Sequence, residues 1–173
     1  MNFIKINKNL ISLTLFILLF SFFASLILTS FGSVEVKSEK LNTEKGQYII
    51  YDLYKPESAT LESKAPFIAI IPGFQRSKEA LSNIAIELSR RGYVVALIDP
   101  YAQGLSSSSL STRAATTQGY GMFALVEYVY GGAFSFVDID KIGATGHSMG
   151  GNAAIRGADF FGKQAIQNNT KSK

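Results

Sequence analysis

One block near the N-terminus limits the folding of this 173-residue chain more than any other feature. No charged residue occurs from Asn9 to Val34, and residues 10–31 (LISLTLFILLFSFFASLILTSF) are almost wholly apolar. A helix of that length, at about 1.5 Å per residue, spans the roughly 30 Å hydrocarbon core of a bilayer. A helix in a water-soluble domain would need a polar face, which this block lacks. We predict that residues 10–31 form a transmembrane signal anchor.

The charges that flank this block predict its orientation. Lys5 and Lys8 precede it, whereas residues 35–39 (EVKSE) carry both signs. The positive-inside rule therefore places residues 1–9 in the cytoplasm and the remainder of the chain outside, in a single-pass protein of the cell membrane. Two alternatives stay open at this point. One is a cleaved signal peptide, for which only TSFG resembles a cleavage site, and the other is a buried core helix.

The composition excludes several classes of function. The formal charge of +4 is spread thinly and Arg90-Arg91 is the only adjacent basic pair, so nucleic acid is not an expected partner. The chain has no cysteine, which rules out disulfides, zinc thiolate sites and cysteine nucleophiles. The sequence implies neither a metal nor an organic cofactor.

Beyond the polar residues 32–46, which we interpret as a spacer leading into a first strand, apolar runs alternate with helical periodicity. Strands are predicted at residues 47–56, 67–71, 93–98 and 141–146, and helices at 77–92, 113–130 and from 148 onward. Ser77 is a candidate N-cap of the first of these helices, and Gly92 is the residue that ends it. The alternation predicts an α/β fold over residues 47–173, with a mostly parallel sheet and helices on both faces.

The stretch GATGHSMGG, residues 143–151, contains the pattern G-x-S-x-G between a predicted strand and a predicted helix. In an α/β fold this arrangement is typical of a nucleophile elbow, a tight turn that exposes a serine hydroxyl above the sheet. The pattern makes Ser148 the candidate nucleophile. Gly146 and Gly150 are the elbow glycines, because side chains at those positions would collide with neighbouring backbone.

Two backbone amides are candidates for an oxyanion hole. Ser148 would precede a helix whose N–H groups and positive end favour developing negative charge, so the Met149 amide is one donor. The second donor normally comes from the loop after the third strand of such a fold. That loop is IPGFQ, and we choose the amide of Phe74, which follows Gly73.

Residues 47–162 resemble the N-terminal half of an α/β-hydrolase domain, most like esterases of the dienelactone-hydrolase type. The matching stretches are IIPGFQRSKEALSNIAIELSRRGYVVALIDPYAQGLSS and VDIDKIGATGHSMGG. The resemblance implies a serine nucleophile at Ser148, oxyanion amides at Phe74 and Met149, and acyl transfer from a small, ester-like substrate.

The groups that should activate Ser148 do not follow it in the sequence. In this fold the acid and the histidine come after the serine, but Asp159 is the only later acid and no later histidine exists. Asp159 is expected roughly 16 Å along the helix, and the imidazole of His147 is not expected to turn back onto its neighbour. We therefore expect a C-terminally truncated hydrolase that is inactive alone. Its candidate partner is a C-terminal half encoded downstream.

Several other interpretations stay open. GYGMFA (residues 119–124) matches the G-x-G-x-x-A pattern of dinucleotide sites but follows no predicted strand. NNT (residues 168–170) matches a glycosylation acceptor, and Ser106–Ser109 is either a solvated turn or a mobile active-site loop. The alternative function is a non-catalytic, membrane-anchored binding or interaction module, or a pseudogene fragment.

Overall fold

The computed structural model describes residues 8–28, 30–43, 46–108, 117 and 119–171, with side chains as far as residue 163 except that of residue 28. In this part of the chain, the strands are β1 (Val34–Asn42), β2 (Tyr48–Pro56), β3 (Ala65–Ile71), β4 (Val94–Ile98) and β5 (Val137–Gly146). The helices are α1 (Lys8–Leu28), α2 (Ser82–Arg90), α3 (Met122–Tyr130) and α4 (Met149–Lys171). The predicted α/β class is confirmed.

The five strands form one mixed sheet in the order β1-β2-β4-β3-β5. β2 runs antiparallel to β1 and to β4, whereas β3 runs parallel to β4 and β5. Parallel neighbours need a crossover connection, and α2 provides it between β3 and β4. At the carboxyl edge of the sheet Ile71 pairs with Gly146, so the loops that leave β3 and β5 start side by side.

Alternating side chains along β3 divide the core into two faces. Phe67, Ala69 and Ile71 pack on the face that α3 and α4 cover, whereas Ile70 packs on the face that α2 covers. All five residues of β4 are buried, which explains why this strand is a continuous apolar run rather than an alternating one.

β1 is a nine-residue strand in the segment interpreted as a spacer leading into a first strand. It pairs with β2 over its whole length, yet only Val34 among its residues is buried. A strand that is held by main-chain hydrogen bonds and exposes both faces shows no apolar alternation, so the polar sequence conceals it. β5 likewise begins at Val137, four residues before the predicted strand, because most of its residues are exposed.

The first predicted helix begins differently from the prediction. Residues Lys78–Leu81 form a 3₁₀ turn, and α2 follows from Ser82. Ser77 is extended and makes no side-chain capping hydrogen bond, so its predicted role as an N-cap is wrong. Gly92 has a φ of 90° just after α2, the left-handed conformation that commonly ends a helix.

The predicted helix 113–130 is shorter than expected. α3 occupies only its C-terminal half, after a 3₁₀ turn at Gly119–Gly121 in which Tyr120 has a φ of 56°. Residues 113–116 and 118 lie outside the described residues. The GYG of the G-x-G-x-x-A pattern is therefore this left-handed turn in front of α3.

α1 is long and apolar enough to cross a membrane, over Lys8–Ile27. This finding concerns length and composition, and an N-terminal signal sequence passes the same test, so the anchor remains a prediction. The helix ends at Leu28, before the predicted boundary at residue 31. In its last turn, the Ile27 carbonyl accepts a hydrogen bond of 2.6 Å from the Arg90 guanidinium, which connects the end of α1 to α2.

Candidate active site

The chain turns sharply at Ser148. β5 ends at Gly146 and α4 begins at Met149, so only two residues connect the strand to the helix. Ser148 has a φ of 53°, in the left-handed region that few residues other than glycine occupy, and its side chain is exposed. Its carbonyl accepts a 3.0 Å hydrogen bond from the Asn152 amide and so opens the hydrogen bonding of α4.

The end of β3 packs against the turn between β5 and α4. The His147 amide donates to the Ile71 carbonyl at 3.2 Å. A Cβ built at Gly150 would lie 2.1 Å from the same carbonyl oxygen, and one at Gly146 would lie 2.5 Å from it. Real Cβ atoms essentially never approach another atom within 3.0 Å, so a side chain at either glycine would force the backbones apart.

The loop after β3 passes directly beside Ser148. A Cβ built at Gly73 would lie 3.5 Å from the Ser148 Cβ and 2.9 Å from the His147 Nδ1. The next residue is Phe74, which is 69% exposed. Within the part of the chain that the structure describes, neither the Phe74 nor the Met149 amide donates a backbone hydrogen bond. Among the described residues, both N–H groups are therefore available to donate a hydrogen bond to a ligand.

The two ionisable side chains considered for Ser148 do not engage its hydroxyl. The His147 imidazole lies against Gly73, and among the described residues no hydrogen bond joins it to the Ser148 side chain. Asp159 lies three turns along α4, where its carboxylate forms an exposed ion pair with Lys163 at 2.7 Å. The structure thus gathers the strand ends, the glycines and the two amides around Ser148 but leaves Asp159 apart.

A buried carboxylate organises the loop after β4. Asp99 is 1% exposed, and its oxygens accept hydrogen bonds from the amides of Lys78 at 2.7 Å and Leu105 at 2.9 Å. A Cβ at Gly104, which has a φ of 53°, would lie 2.2 Å from this carboxylate. Asp99 therefore connects the segment that follows β3 to the loop that follows β4.

Two serines of the Ser106–Ser109 run bind β2. The Ser106 hydroxyl accepts the Ile50 amide at 2.8 Å, and the Ser107 hydroxyl accepts the Tyr48 amide at 2.9 Å. These bonds extend the pairing of β2 beyond the end of β4, so this part of the run is anchored to the sheet. Ser109 lies outside the described residues.

Lys78, Asp52 and Glu79 form a group of opposite charges next to the loop that follows β3. The Lys78 ammonium, whose side chain is 7% exposed, contacts Asp52 at 3.0 Å and Glu79 at 2.8 Å. Burial alone would lower the pKa of Lys78, but its hydrogen bonds to these carboxylates raise the pKa on balance. The hydrogen bond from Lys78 in turn lowers the pKa of Glu79 to about 2. In the ranges described above, no three His, Cys, Asp or Glu side chains are grouped to hold a metal ion.

Comparison with known proteins agrees with this geometry. A sequence model of a protein family described as "PETase: PET hydrolase-like" matches residues 23–167, the greater part of the chain. The chain belongs to the PET hydrolase-like family. The predicted resemblance to α/β hydrolases is thereby confirmed. A comparison with curated proteins gave no match.

Solved structures share the fold of this PET hydrolase-like chain at low sequence identity. An esterase from Pyrococcus furiosus is 22% identical, with a TM-score of 0.60 over 75% of this chain and 48% of its own. Est1E from Butyrivibrio proteoclasticus, with ferulic acid bound, is 22% identical, with a TM-score of 0.61 over 72% and 48%. The alpha/beta hydrolase GrgF from Penicillium sp. sh18 is 22% identical, with a TM-score of 0.59 over 73% and 42%. The PET hydrolase-like chain thus spans less than half the length of each.

Sequence reasoning missed the side chains that hold the two loops of this PET hydrolase-like chain together. Asp99 and Gln103 contact residues 21 to 30 positions earlier in the chain, and no local pattern records such contacts. The available indication was an aspartate directly after a buried strand, followed by a glycine at position 104.

Proposed function

We propose that this chain carries the nucleophile and the oxyanion hole of a carboxylic ester hydrolase. The observation that carries the proposal is the left-handed Ser148 between β5 and α4, directly beside the loop that follows β3. Membership of the PET hydrolase-like family supports hydrolysis. An ester carbonyl is the expected target, since two similar solved structures are named as esterases.

The geometry supports a defined first half-reaction. The Ser148 Oγ attacks the ester carbonyl carbon, and the serine proton passes to a base. Negative charge develops on the carbonyl oxygen, where the amides of Met149 and Phe74 donate hydrogen bonds to it. The C–O bond to the alcohol then breaks, the base returns the proton to the departing alcohol oxygen, and an acyl group remains on Ser148. Water releases this group in the second half-reaction.

The described residues provide neither a base nor an acid at the Ser148 hydroxyl. His147 is the only histidine of the sequence, and its ring makes no hydrogen bond to Ser148 within the described part of the chain. Without a member of the catalytic triad, the oxyanion hole and binding leave only roughly 10³-fold catalysis over water, far below the 10⁶-fold or more that is typical of enzymes. We therefore expect no measurable multiple turnover by the chain alone.

Chemical rescue with imidazole tests this proposal. A fluorophosphonate probe is added to the full chain in detergent, with and without imidazole as an external base, and the modified serine is located by mass spectrometry. We expect imidazole to accelerate modification of Ser148. Ser148→Ala should abolish this modification, whereas Ser58→Ala, at an exposed serine between β2 and β3, should preserve it. Equal modification of Ser148 and the other exposed serines would contradict the proposal, and so would Ser148-dependent turnover of a p-nitrophenyl ester without imidazole.

A second candidate is a non-catalytic interaction module that keeps the fold. The observation in its favour is that the one histidine of the chain is not bonded to Ser148 in the structure as described. This candidate predicts stable accumulation of the folded chain with no preferential modification of Ser148, whatever the imidazole concentration.

We further infer that residues 10–31 anchor the chain in the cell membrane, with residues 1–9 in the cytoplasm and the hydrolase domain outside. Because the chain has no cysteine, single cysteines report the topology without background. Ser33→Cys should react with a membrane-impermeant maleimide in intact cells, whereas Asn2→Cys should react only after lysis. The reverse pattern would overturn this orientation, and a mature chain that mass spectrometry finds without residues 1–31 would indicate a cleaved signal peptide.

A further inference from the structure

The loop that provides the Phe74 amide has a backbone conformation that it does not hold by itself. The Arg76 amide donates to the Gly73 carbonyl at 3.2 Å and closes a tight turn. Within this turn Gln75 has a φ of 56°, although turns of this kind normally place glycine at such a position. A residue with a side chain is disfavoured there, so contacts from elsewhere must stabilise the turn.

The Gln103 side chain, from the loop after β4, supplies those contacts. Its Oε1 accepts a hydrogen bond from the Gln75 amide. Its Nε2 donates to the Gly73 carbonyl at 3.3 Å and to the Arg76 carbonyl at 3.1 Å. One carboxamide thus satisfies an amide and two carbonyls of the same turn. Its orientation follows from chemistry, because the backbone amide only donates and the two carbonyls only accept.

Gln103 is itself held firmly. Its amide donates to the Pro100 carbonyl at 3.0 Å, and its carbonyl accepts the Ser106 amide at 3.2 Å. The same loop is fixed at Asp99, which binds the Lys78 amide, and at Ser106, which binds β2. The side chain of Gln103 therefore extends from a well-anchored loop onto the turn at residues 73–76.

We propose that Gln103 is a positioning residue that aims the Phe74 amide into the oxyanion hole. The Gly73 carbonyl and the Phe74 N–H belong to one planar trans peptide unit, in which they point in opposite directions. Holding the carbonyl toward Gln103 therefore turns the N–H away from Gln103. Gly73 lies beside Ser148, so this one peptide plane determines whether the amide faces the reacting oxygen. Gln103 itself does not touch the substrate. The inference rests on the proposed function of Ser148.

The test measures phosphonylation of Ser148 by a fluorophosphonate in the presence of imidazole. In this reaction the Ser148 Oγ bonds to phosphorus, the P–F bond breaks, fluoride leaves, and imidazole takes the serine proton. The phosphoryl oxygen gains negative charge in the transition state and probes the oxyanion hole. The full chain in detergent is used, and the labelling rate is measured over a range of probe concentrations.

Gln103→Met keeps the length of the side chain and removes all three hydrogen bonds. We expect the maximal labelling rate to fall at least about tenfold, since loss of a whole oxyanion donor costs about 10²–10³-fold. The probe concentration that gives half the maximal rate should not change, because the lost contact acts only on the transition state. A purely structural role would not separate these two quantities.

Gln47→Met is the matched control. Gln47 is a buried glutamine, whereas Gln103 is partly buried, and the Gln47 Nε2 donates to the Ser108 carbonyl on the same loop at 3.1 Å rather than to the turn at residues 73–76. Its labelling rate should equal that of the original chain. An equal decrease in both variants would overturn the proposal, because it would indicate general disturbance of the loop.

The outcomes separate this inference from the proposed function. If Ser148 of the original chain is not labelled preferentially, the proposed function fails. If it is labelled and Gln103→Met is labelled equally fast, only the role of Gln103 is refuted. If Gln103→Met does not fold, Gln103→Glu is tested in its place. Its carboxylate still accepts the hydrogen bond from the Gln75 amide but has no N–H group to donate to the two carbonyls. Its labelling should also be slower, and an unchanged rate would refute the role.

Discussion

The close contact between α4 and β3 makes a quantitative prediction about Gly150. A Cβ there would lie 2.1 Å from the Ile71 carbonyl oxygen and 2.8 Å from the Pro72 carbonyl oxygen. Both neighbours are backbone atoms, so no side-chain rotation relieves the overlap, and the start of α4 must move by about 1 Å relative to the end of β3. Overpacking of this kind costs typically about 1–3 kcal/mol and occasionally more, and the backbone position argues for the upper end. We expect Gly150→Ala to lower the free energy of unfolding by about 2–4 kcal/mol.

Two other glycines of α4 provide graded controls for the same substitution. A Cβ at Gly151 would lie 3.2 Å from the Gly146 carbonyl oxygen, and one at Gly162 would meet nothing within 4 Å. Gly162→Ala should therefore stabilise the chain by about 0.5–1 kcal/mol, as expected when alanine replaces glycine inside a helix. Gly151→Ala should fall between the two.

Urea unfolding of the full chain in detergent, monitored by circular dichroism, measures these differences in the free energy of unfolding. The slope of the free energy against urea concentration should be the same for all variants. The free energy of unfolding should increase in the order Gly150→Ala, Gly151→Ala, Gly162→Ala. If Gly150→Ala is as stable as Gly162→Ala, the start of α4 does not press on the end of β3 and the reasoning is refuted.

Three further predictions concern buried or paired ionisable groups. The hydrogen bond from Lys78 lowers the pKa of Glu79, so the stability that this pair contributes should be present above pH 4.5 and be lost as the pH falls toward 2. Glu79→Gln should reduce the decrease in the urea midpoint over this pH range. An unchanged decrease would contradict the pairing. Burial and, to a smaller extent, the hydrogen bond to Glu39 raise the pKa of Tyr51, so the stability that the protonated Tyr51 contributes should be present below pH 10 and be lost at higher pH. Tyr51→Phe should remove this loss of stability at alkaline pH. A variant that loses as much stability at alkaline pH as the original chain would argue against it. Asp99→Ala leaves the buried Lys78 amide and the partly buried Leu105 amide without an acceptor and should cost about 2–4 kcal/mol in the same unfolding assay. A loss below about 0.5 kcal/mol would count against the role of Asp99.

Within the sheet, the strands that the core buries completely were predicted closely from the sequence. β3 and β4 agree with the predicted strands to within two residues, because residues covered on both faces must be apolar throughout. β1 escaped clear prediction for the opposite reason, since its stabilisation comes from main-chain pairing with β2 and its side chains are mostly exposed. The predicted cap at Ser77 failed because a 3₁₀ turn, rather than α2, begins at that point.

The sequence by itself determined the local geometry around Ser148. A strand, two glycines at fixed spacing and a helix are encoded within about ten consecutive residues, and backbone sterics act over that range. Only the tertiary structure decided which groups meet this serine. Parallel pairing of β3 with β5 brings Gly73, the residue before Phe74, beside it, and the Gln103 carboxamide holds the turn that contains both residues. These contacts join segments that are distant in the chain, so they depend on the order of the strands in the sheet and leave no pattern in any one stretch of sequence.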